Sequence, residues 1–358
     1  MARFEDVFSD ETKRGCKIQT SEYLSVGEYP VIDQGQTQIA GYTDLEDGLF
    51  TDVPAIVFGD HTRIVKYVDS PFFLGADGVK VLKAKVDGTD YKYLFYCLQN
   101  AKIPNTGYNR HFKWLKEVDI PLPPPEEQHR IAALLDKVSN LIAKRRAQLD
   151  KLDLLVKARF VEIFGDPVRN NHNYPSVKLG DLGEWSSGGT PSRNDSRYFT
   201  GDIDWYSAGE LNSLYLEGSI EKITPEAIKH SAAKLFNAGS MLVGMYDTAA
   251  FKMGIIQKDS ASNQACACIT PHNDINIVWL YYELQLMRDF FLTQRHGVRQ
   301  KNLSLSMIKD FQIPLAIKEK QVTFSYFVEQ VNKSKLTIQQ SLDKLEMLKK
   351  ALMQQYFR

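Results

Sequence analysis

The stretch QLDKLDLLVKA at residues 148 to 158 returns as SLDKLEMLKKA at residues 341 to 351, identical at seven of eleven positions, and this recurrence decides the architecture. The offset is 193 residues, and it holds without a gap well beyond the two strings. Ile120-Pro121-Leu122 recurs as Ile313-Pro314-Leu315, Gln128 as Gln321, and Phe164 as Phe357. Two unrelated amphipathic helices would not share one register over such a span, so the chain is read as a tandem duplication.

Each copy starts with an extended Ile-Pro-Leu and passes into helical periodicity. Pro123, Pro124 and Pro125 exclude a helix interior, which places the first helix start near Glu126 and the second near Glu319. Leu135, Val138, Ile142, Arg145, Leu149, Leu152, Val156, Arg159 and Ile163 alternate spacings of three and four, the seam of a coiled coil. The second copy gives Val328, Val331, Lys335, Ile338, Leu342, Leu345, Lys349, Leu352 and Tyr356. Arg145 and Arg159 correspond to apolar Ile338 and Leu352, while Lys335 and Lys349 correspond to apolar Ile142 and Val156, a complementarity that predicts two helices packed on each other. About 39 residues at 1.5 Å rise each make a rod of roughly 58 Å, too long merely to cover a small domain. Gly165-Asp166-Pro167 stops the first helix. The plan is therefore a globular segment at 1–122, a helix at 123–167, a second globular segment at 168–315 and a second helix at 316–358. Strand-like runs such as Ala55-Ile56-Val57-Phe58 and Met241-Leu242-Val243 occupy like positions in the two globular segments, which are read as diverged copies of one α/β (α+β) domain.

Composition narrows the function. The 358 residues carry 44 Lys plus Arg against 44 Asp plus Glu, so any nucleic-acid role must come from local patches. Cys16, Cys97, Cys266 and Cys268 lack metal-site or disulfide-framework spacing, and no cofactor or metal is expected. MARFEDVFSDETKRG at the start has no apolar core of a leader, and no run of about 18 apolar residues occurs, which predicts a cytoplasmic protein away from membranes. A glycine-rich cofactor loop with an Asn/Asp-Pro-Pro-Tyr/Phe string, as an adenine methyltransferase needs, is absent from the sequence, and so is a P-loop.

With these elements in place, the chain resembles the specificity subunit of Type I restriction-modification systems. The likeness rests on VKLGDLGEWSSGGTPSR at 177 to 193, IPLPPPEEQ at 120 to 128 and FVEIFGDP at 160 to 167, in combination with the duplication. It implies two target-recognition domains, each for one half of a bipartite double-stranded DNA site, joined by two long antiparallel coiled-coil helices in a pseudo-two-fold molecule. It further implies a non-catalytic subunit that docks methyltransferase (modification) subunits, two of them, and restriction subunits. The first domain lacks a GGTPS counterpart, and Pro314-Leu315-Ala316-Ile317 replaces the proline run of the first copy.

Polar and basic residues cluster just ahead of each Ile-Pro-Leu. Asn105, Tyr108, Asn109, Arg110, His111, Lys113, Trp114 and Lys116 form one candidate DNA surface, and Gln294, Arg295, His296, Arg299, Gln300 and Lys301 form the other, since Arg pairs with guanine and phosphate and Asn or Gln with adenine. Ser187, Gly188, Gly189, Thr190 and Arg193 form a glycine-rich loop read as a phosphate cradle. Gln34, Gly35 and Gln36 are a further candidate in the first domain. Ile131, Leu134, Leu141, Leu154 and Phe160 are expected as exposed apolar positions that bind partner subunits. The alternative from another class is a coiled-coil scaffold whose globular domains bind protein.

Overall fold

The structure is a computed structural model that describes residues 1–293 and 302–357. The chain forms two compact units, Met1–Ala147 with Gln339–Arg358, and Gln148–Ile338.

In the first unit β1 (Ala2–Arg3) and α1 (Phe4–Val7) precede β2 (Phe8–Asp10), β3 (Tyr29–Ile32), β4 (Gly41–Thr43), β5 (Ala55–Gly59), β6 (Val65–Val68), β7 (Phe73–Leu74) and β8 (Val79–Ala84). There follow α2 (Tyr91–Gln99), α3 (Phe112–Leu115), β9 (Asp119–Ile120) and the helix α4 (Pro125–Phe164), which continues into the second unit. The strands form a sheet of order β2-β8-β5-β6, a smaller one of order β4-β3-β7, and the pair β1-β9.

The second unit holds β10 (Ser176–Lys178), β11 (Gly183–Ser187), β12 (Ile203–Tyr206), β13 (Tyr215–Leu216), β14 (Glu221–Ile223), α5 (Pro225–Lys229), β15 (Met241–Gly244), β16 (Met253–Ile256), β17 (Ala261–Ser262) and β18 (Cys266–Pro271). α6 (Ile277–Thr293), α7 (Leu305–Asp310), β19 (Gln312–Pro314) and α8 (Lys318–Tyr356) complete it, the last part of α8 belonging to the first unit. Its sheets run β11-β18-β15-β16-β13 and β14-β12-β17, with the pair β10-β19.

The two units share one topology. β2-β8-β5-β6 matches β11-β18-β15-β16. The small sheets match in direction too: β3 pairs β4 antiparallel and β7 parallel, as β12 pairs β14 antiparallel and β17 parallel. β13, parallel to β16, has no counterpart among the described residues. β5 (AIVFG) and β15 (MLVG) are buried at every position because each is an inner strand packed on both faces, which is why they read as unbroken apolar runs.

The repeated Gln has a structural cause. Gln128, 4% exposed, accepts from the amide of Asp90 at 3.1 Å and donates to the Pro123 carbonyl at 2.8 Å. Gln321, 1% exposed, accepts from the amide of Asn276 at 2.8 Å and donates to the Ala316 carbonyl at 2.7 Å. Asp90 caps the start of α2, and the Asn276 side chain accepts from Val278 and Trp279 at the start of α6. One buried amide thus ties the helix-start loop to the proline box in both units.

Both long helices pack antiparallel within each unit. In the first, the Arg130 guanidinium lies 5.7 Å from the Tyr356 ring centre and Arg146 pairs with Glu346 at 2.6 Å. In the second, Lys335 pairs with Asp153 at 2.6 Å, Arg159 lies 5.9 Å from the Phe327 ring, and Phe160 meets Phe324 edge-on at 5.2 Å. Partner numbers fall as α4 numbers rise, the mark of antiparallel pairing. Every predicted seam position is buried or half-buried.

Two positions expected on the exposed side are core instead. Ile131 packs in the first unit with Leu94, Leu98 and Leu135, and Phe160 in the second with Phe164, Trp279 and Phe324. Each helix buries a second face against its own globular body, so these two side chains are withdrawn from the partner-binding set. Burial pushes the thiols of Cys97, Cys266 and Cys268 up to about 12, so they stay protonated. Among the described residues no helix is long and apolar enough to cross a membrane, and no cluster of three His, Cys, Asp or Glu could hold a metal.

Candidate nucleic-acid interface

In the first unit four loops converge beyond the strand ends. They are the loop after β3 (residues 33–38), the β5–β6 hairpin (60–64), the loop before β8 (75–78) and the loop from α2 to α3 (101–111). Gln34 ties three of them: its Oε1 accepts from the His61 amide at 3.2 Å, its Nε2 donates to the Asp77 carbonyl at 3.1 Å, and its carbonyl accepts from the Thr62 hydroxyl at 2.7 Å. Asp60, buried, ties the fourth. Its carbonyl accepts from the His111 amide at 2.7 Å and its carboxylate accepts from the Phe112 amide at 2.7 Å. Lys66, 3% exposed, donates to the Thr37 carbonyl at 2.6 Å and faces Asp33 at 3.3 Å, supporting the first loop from beneath. Burial pushes its ammonium below the usual lysine range, opposed by the Asp33 carboxylate.

The predicted residues of this face divide. Asn109 and Arg110 are exposed, and the Asn109 amide nitrogen closes its own turn on the Thr106 carbonyl at 2.5 Å. Arg110 is close enough to Asp77 to contribute, after the hydrogen bond from Lys17, to holding that carboxyl below its ordinary value. Lys113 is exposed and lies 4.2 Å from the Trp114 ring on α3. His111 is fully buried, with Nδ1 3.0 Å from the Asp60 carbonyl, and so serves the loop architecture instead of a base edge. Sequence reasoning passed over His61 and Arg63 because neither lies in a basic run.

The second unit repeats the frame. Leu303 donates its amide to the Met245 carbonyl at 2.8 Å and Met245 to the Ala265 carbonyl at 2.9 Å, as His111 does to Asp60 and Asp60 to Gly78, both at 2.7 Å. Tyr246, 40% exposed, therefore stands where His61 stands in the first unit. The predicted Gln294, Arg295, His296, Arg299, Gln300 and Lys301 lie between α6 and α7 in the sequence, outside the described residues.

In the glycine-rich loop both glycine amides are used within the fold. The amides of Gly188 and Gly189 are already given to the Cys266 and Ser262 carbonyls at 3.0 and 2.9 Å. A Cβ on Gly189 would sit 2.0 Å from the Ala232 carbonyl oxygen, and one on Gly188 2.4 Å from that of Asn263, so both glycines exist for close backbone packing. Arg193 forks onto Glu221 at 2.5 and 2.8 Å and stacks 4.4 Å from the Phe199 ring. Ser187 is half-buried in β11 opposite Ala267. The Thr190 hydroxyl donates to the Gln264 side-chain oxygen.

Each unit is thus a copy of one α/β fold, with diverged polar loops at its strand ends and a long helix closing it. The Type I restriction modification DNA specificity domain matches residues 1–152 and 171–347, and the chain belongs to that family. The Type I restriction enzyme EcoR124I/EcoR124II specificity subunit of Escherichia coli is 27% identical over 284 residues, 74% of this chain and 69% of that protein. The MjaIX specificity subunit of Methanocaldococcus jannaschii is 26% identical over 167 residues, 44% of this chain and 38% of its own length. The fold is that of the crystal structure of the Type I S subunit from M. genitalium, with a TM-score of 0.65 at 16% identity over 99% of this chain and 95% of that one.

Proposed function

We propose that the protein is the reader of a Type I restriction-modification complex, binding an asymmetric, bipartite double-stranded DNA site and docking two copies of one modification subunit, to which restriction subunits join. The recognition domains are 1–122 and 168–315, and the chain itself performs no chemistry, needs no cofactor and works in the cytoplasm. The observation that carries this reading is a framework held constant in both units while the loops it presents differ. Identical frames orient two heads alike, and different loops give them different base preferences.

The docking half rests on residues that the fold leaves outside. Leu154 and Leu155 in the second unit are 64% and 46% exposed, and their repeats Met347 and Leu348 in the first are 64% and 46% exposed. Asp150, Lys151, Lys157 and Ala158 are exposed and identical to exposed Asp343, Lys344, Lys350 and Ala351. Exposed identity between two diverged copies fits two identical partners, one per unit. Leu141, 38% exposed, and half-buried Leu134 lie on the first unit's part of α4.

The test is a mobility shift with the chain and its modification subunits on DNA carrying the mapped methylation site. Sequence-specific binding that needs both halves supports the reading; a complex that methylates a site while this chain is absent overturns it. Leu154→Glu with Leu155→Glu, or Met347→Glu with Leu348→Glu, should each leave a complex holding one modification subunit in place of two, seen by native mass spectrometry. Either pair leaving two subunits bound refutes the docking assignment.

A further inference from the structure

Tyr108 is 88% exposed, yet its ring has an aromatic neighbour. It lies parallel to the His61 imidazole, with centroids 4.7 Å apart and planes 7° from each other. The turn that carries it is closed by its own bonds: the Asn109 amide donates to the Gly107 carbonyl at 2.9 Å, and the Gly107 amide to the Asn105 side chain at 3.3 Å. Gly107 has φ +76, and a Cβ there would meet nothing within 4 Å, so the glycine serves the left-handed turn that lifts the next residue and makes no close approach of its own.

His61 is placed as firmly, on the β5–β6 hairpin, by its amide bond to Gln34 and by the neighbouring Asp60 clamp on residues 111 and 112. Its Nδ1 is buried and has no hydrogen-bond partner among the described residues. The Tyr108 ring thus lies alongside the imidazole while most of its surface stays open. A tyrosine so exposed adds almost no burial to the fold, which leaves its ordered posture without a folding explanation. Arg63, which adopts φ 61 at the end of the same hairpin, donates to the Ile103 carbonyl at 3.4 Å, and exposed Arg110 follows two residues after Tyr108.

We propose that Tyr108, backed by His61, is a specificity-determining stacking wedge that presses its open face on one base at an unstacked step of the first unit's half-site. Aromatic rings accept bases in this way, and side-chain wedges enter flexible steps where the duplex opens at low cost. His61 and Gln34 are positioning residues: the first fixes the ring plane, and the second fixes the hairpin. The preference would fall on a pyrimidine–purine step. The proposal rests on the DNA-reading function above.

The experiment uses the assembled complex and duplexes with 2-aminopurine moved through each position of the mapped site. The wild type should change the fluorescence at one step of one half-site. Tyr108→Ala should abolish that change and weaken binding roughly tenfold; Tyr108→Phe should keep both, since stacking needs the ring and not the hydroxyl. His61→Ala should reduce the signal and leave the other half-site untouched. Tyr108→Ala with wild-type affinity and signal overturns the proposal. A loss of affinity with every base signal unchanged places the ring on the backbone and overturns it equally. A wild-type complex without sequence-specific binding refutes the DNA-reading function instead, before any variant is compared.

Discussion

Glu283 is the least comfortable side chain in the second unit. It sits on α6, 2% exposed, and its Oε1 finds no partner among the described residues. Burial alone pushes its carboxyl from 4.5 up to about 8. The unfolded chain therefore releases this proton near pH 4.5 while the folded chain keeps it until about pH 8. Stability is full below the lower value and falls as pH rises through that window, at about 1.4 kcal/mol per pH unit. Glu283→Gln, neutral and of the same shape, should flatten this slope and raise the urea midpoint of the second unit at pH 8 while changing it little at pH 5. Parallel pH profiles for the two proteins would refute the assignment. Such a residue is illegible in the sequence, because a carboxyl inside LYYELQLM reads as an ordinary solvent-facing turn. The surroundings of His111, Gly188 and Gly189 are illegible for the same reason: their partners, Asp60, Cys266, Ser262 and Ala232, are distant in the chain.

At the scale of elements, far more was written in the chain. Helical periodicity placed α4 and α8 within a residue or two, and the 193-residue offset identified the two units as copies. Two polar seam residues have partners: Lys335 meets Asp153 at 2.6 Å, and Lys349 lies 5.5 Å from the Tyr96 ring, where burial lowers its ammonium. Ile131 and Phe160 escaped the reading because a single stripe of period 3.5 does not report a second buried face. Gln128 and Gln321 were visible as a repeat but not as a hydrogen-bonded brace. Each truncation, Gln128→Ala or Gln321→Ala, should cost about 1–3 kcal/mol by orphaning a buried amide, that of Asp90 or Asn276. Urea unfolding of the single variants should show the loss in the unit concerned, and a cost under 0.5 kcal/mol, roughly that of a surface change, would remove the brace.

At the scale of the molecule, the chain passes between its units twice, at 147/148 and 338/339, and both passages lie inside α4 and α8. A passage made of continuous helix has a length fixed by residue number, about 1.5 Å for each residue. If each unit reads one half-site, the number of unread base pairs between the halves should follow the length of these helices. Inserting four residues after Ala147 and four after Ile338 adds roughly one turn, near 6 Å, to both passages. That length equals about two base pairs at 3.4 Å each. The lengthened complex should methylate the same two half-sites with the spacer increased by one or two base pairs, read by sequencing methylated DNA. The two half-sites themselves must stay unchanged, since every loop proposed to read bases lies outside the inserted positions. A variant that is active, assembles with both modification subunits and still accepts only the original spacing would mean that the spacer is measured by something other than these helices.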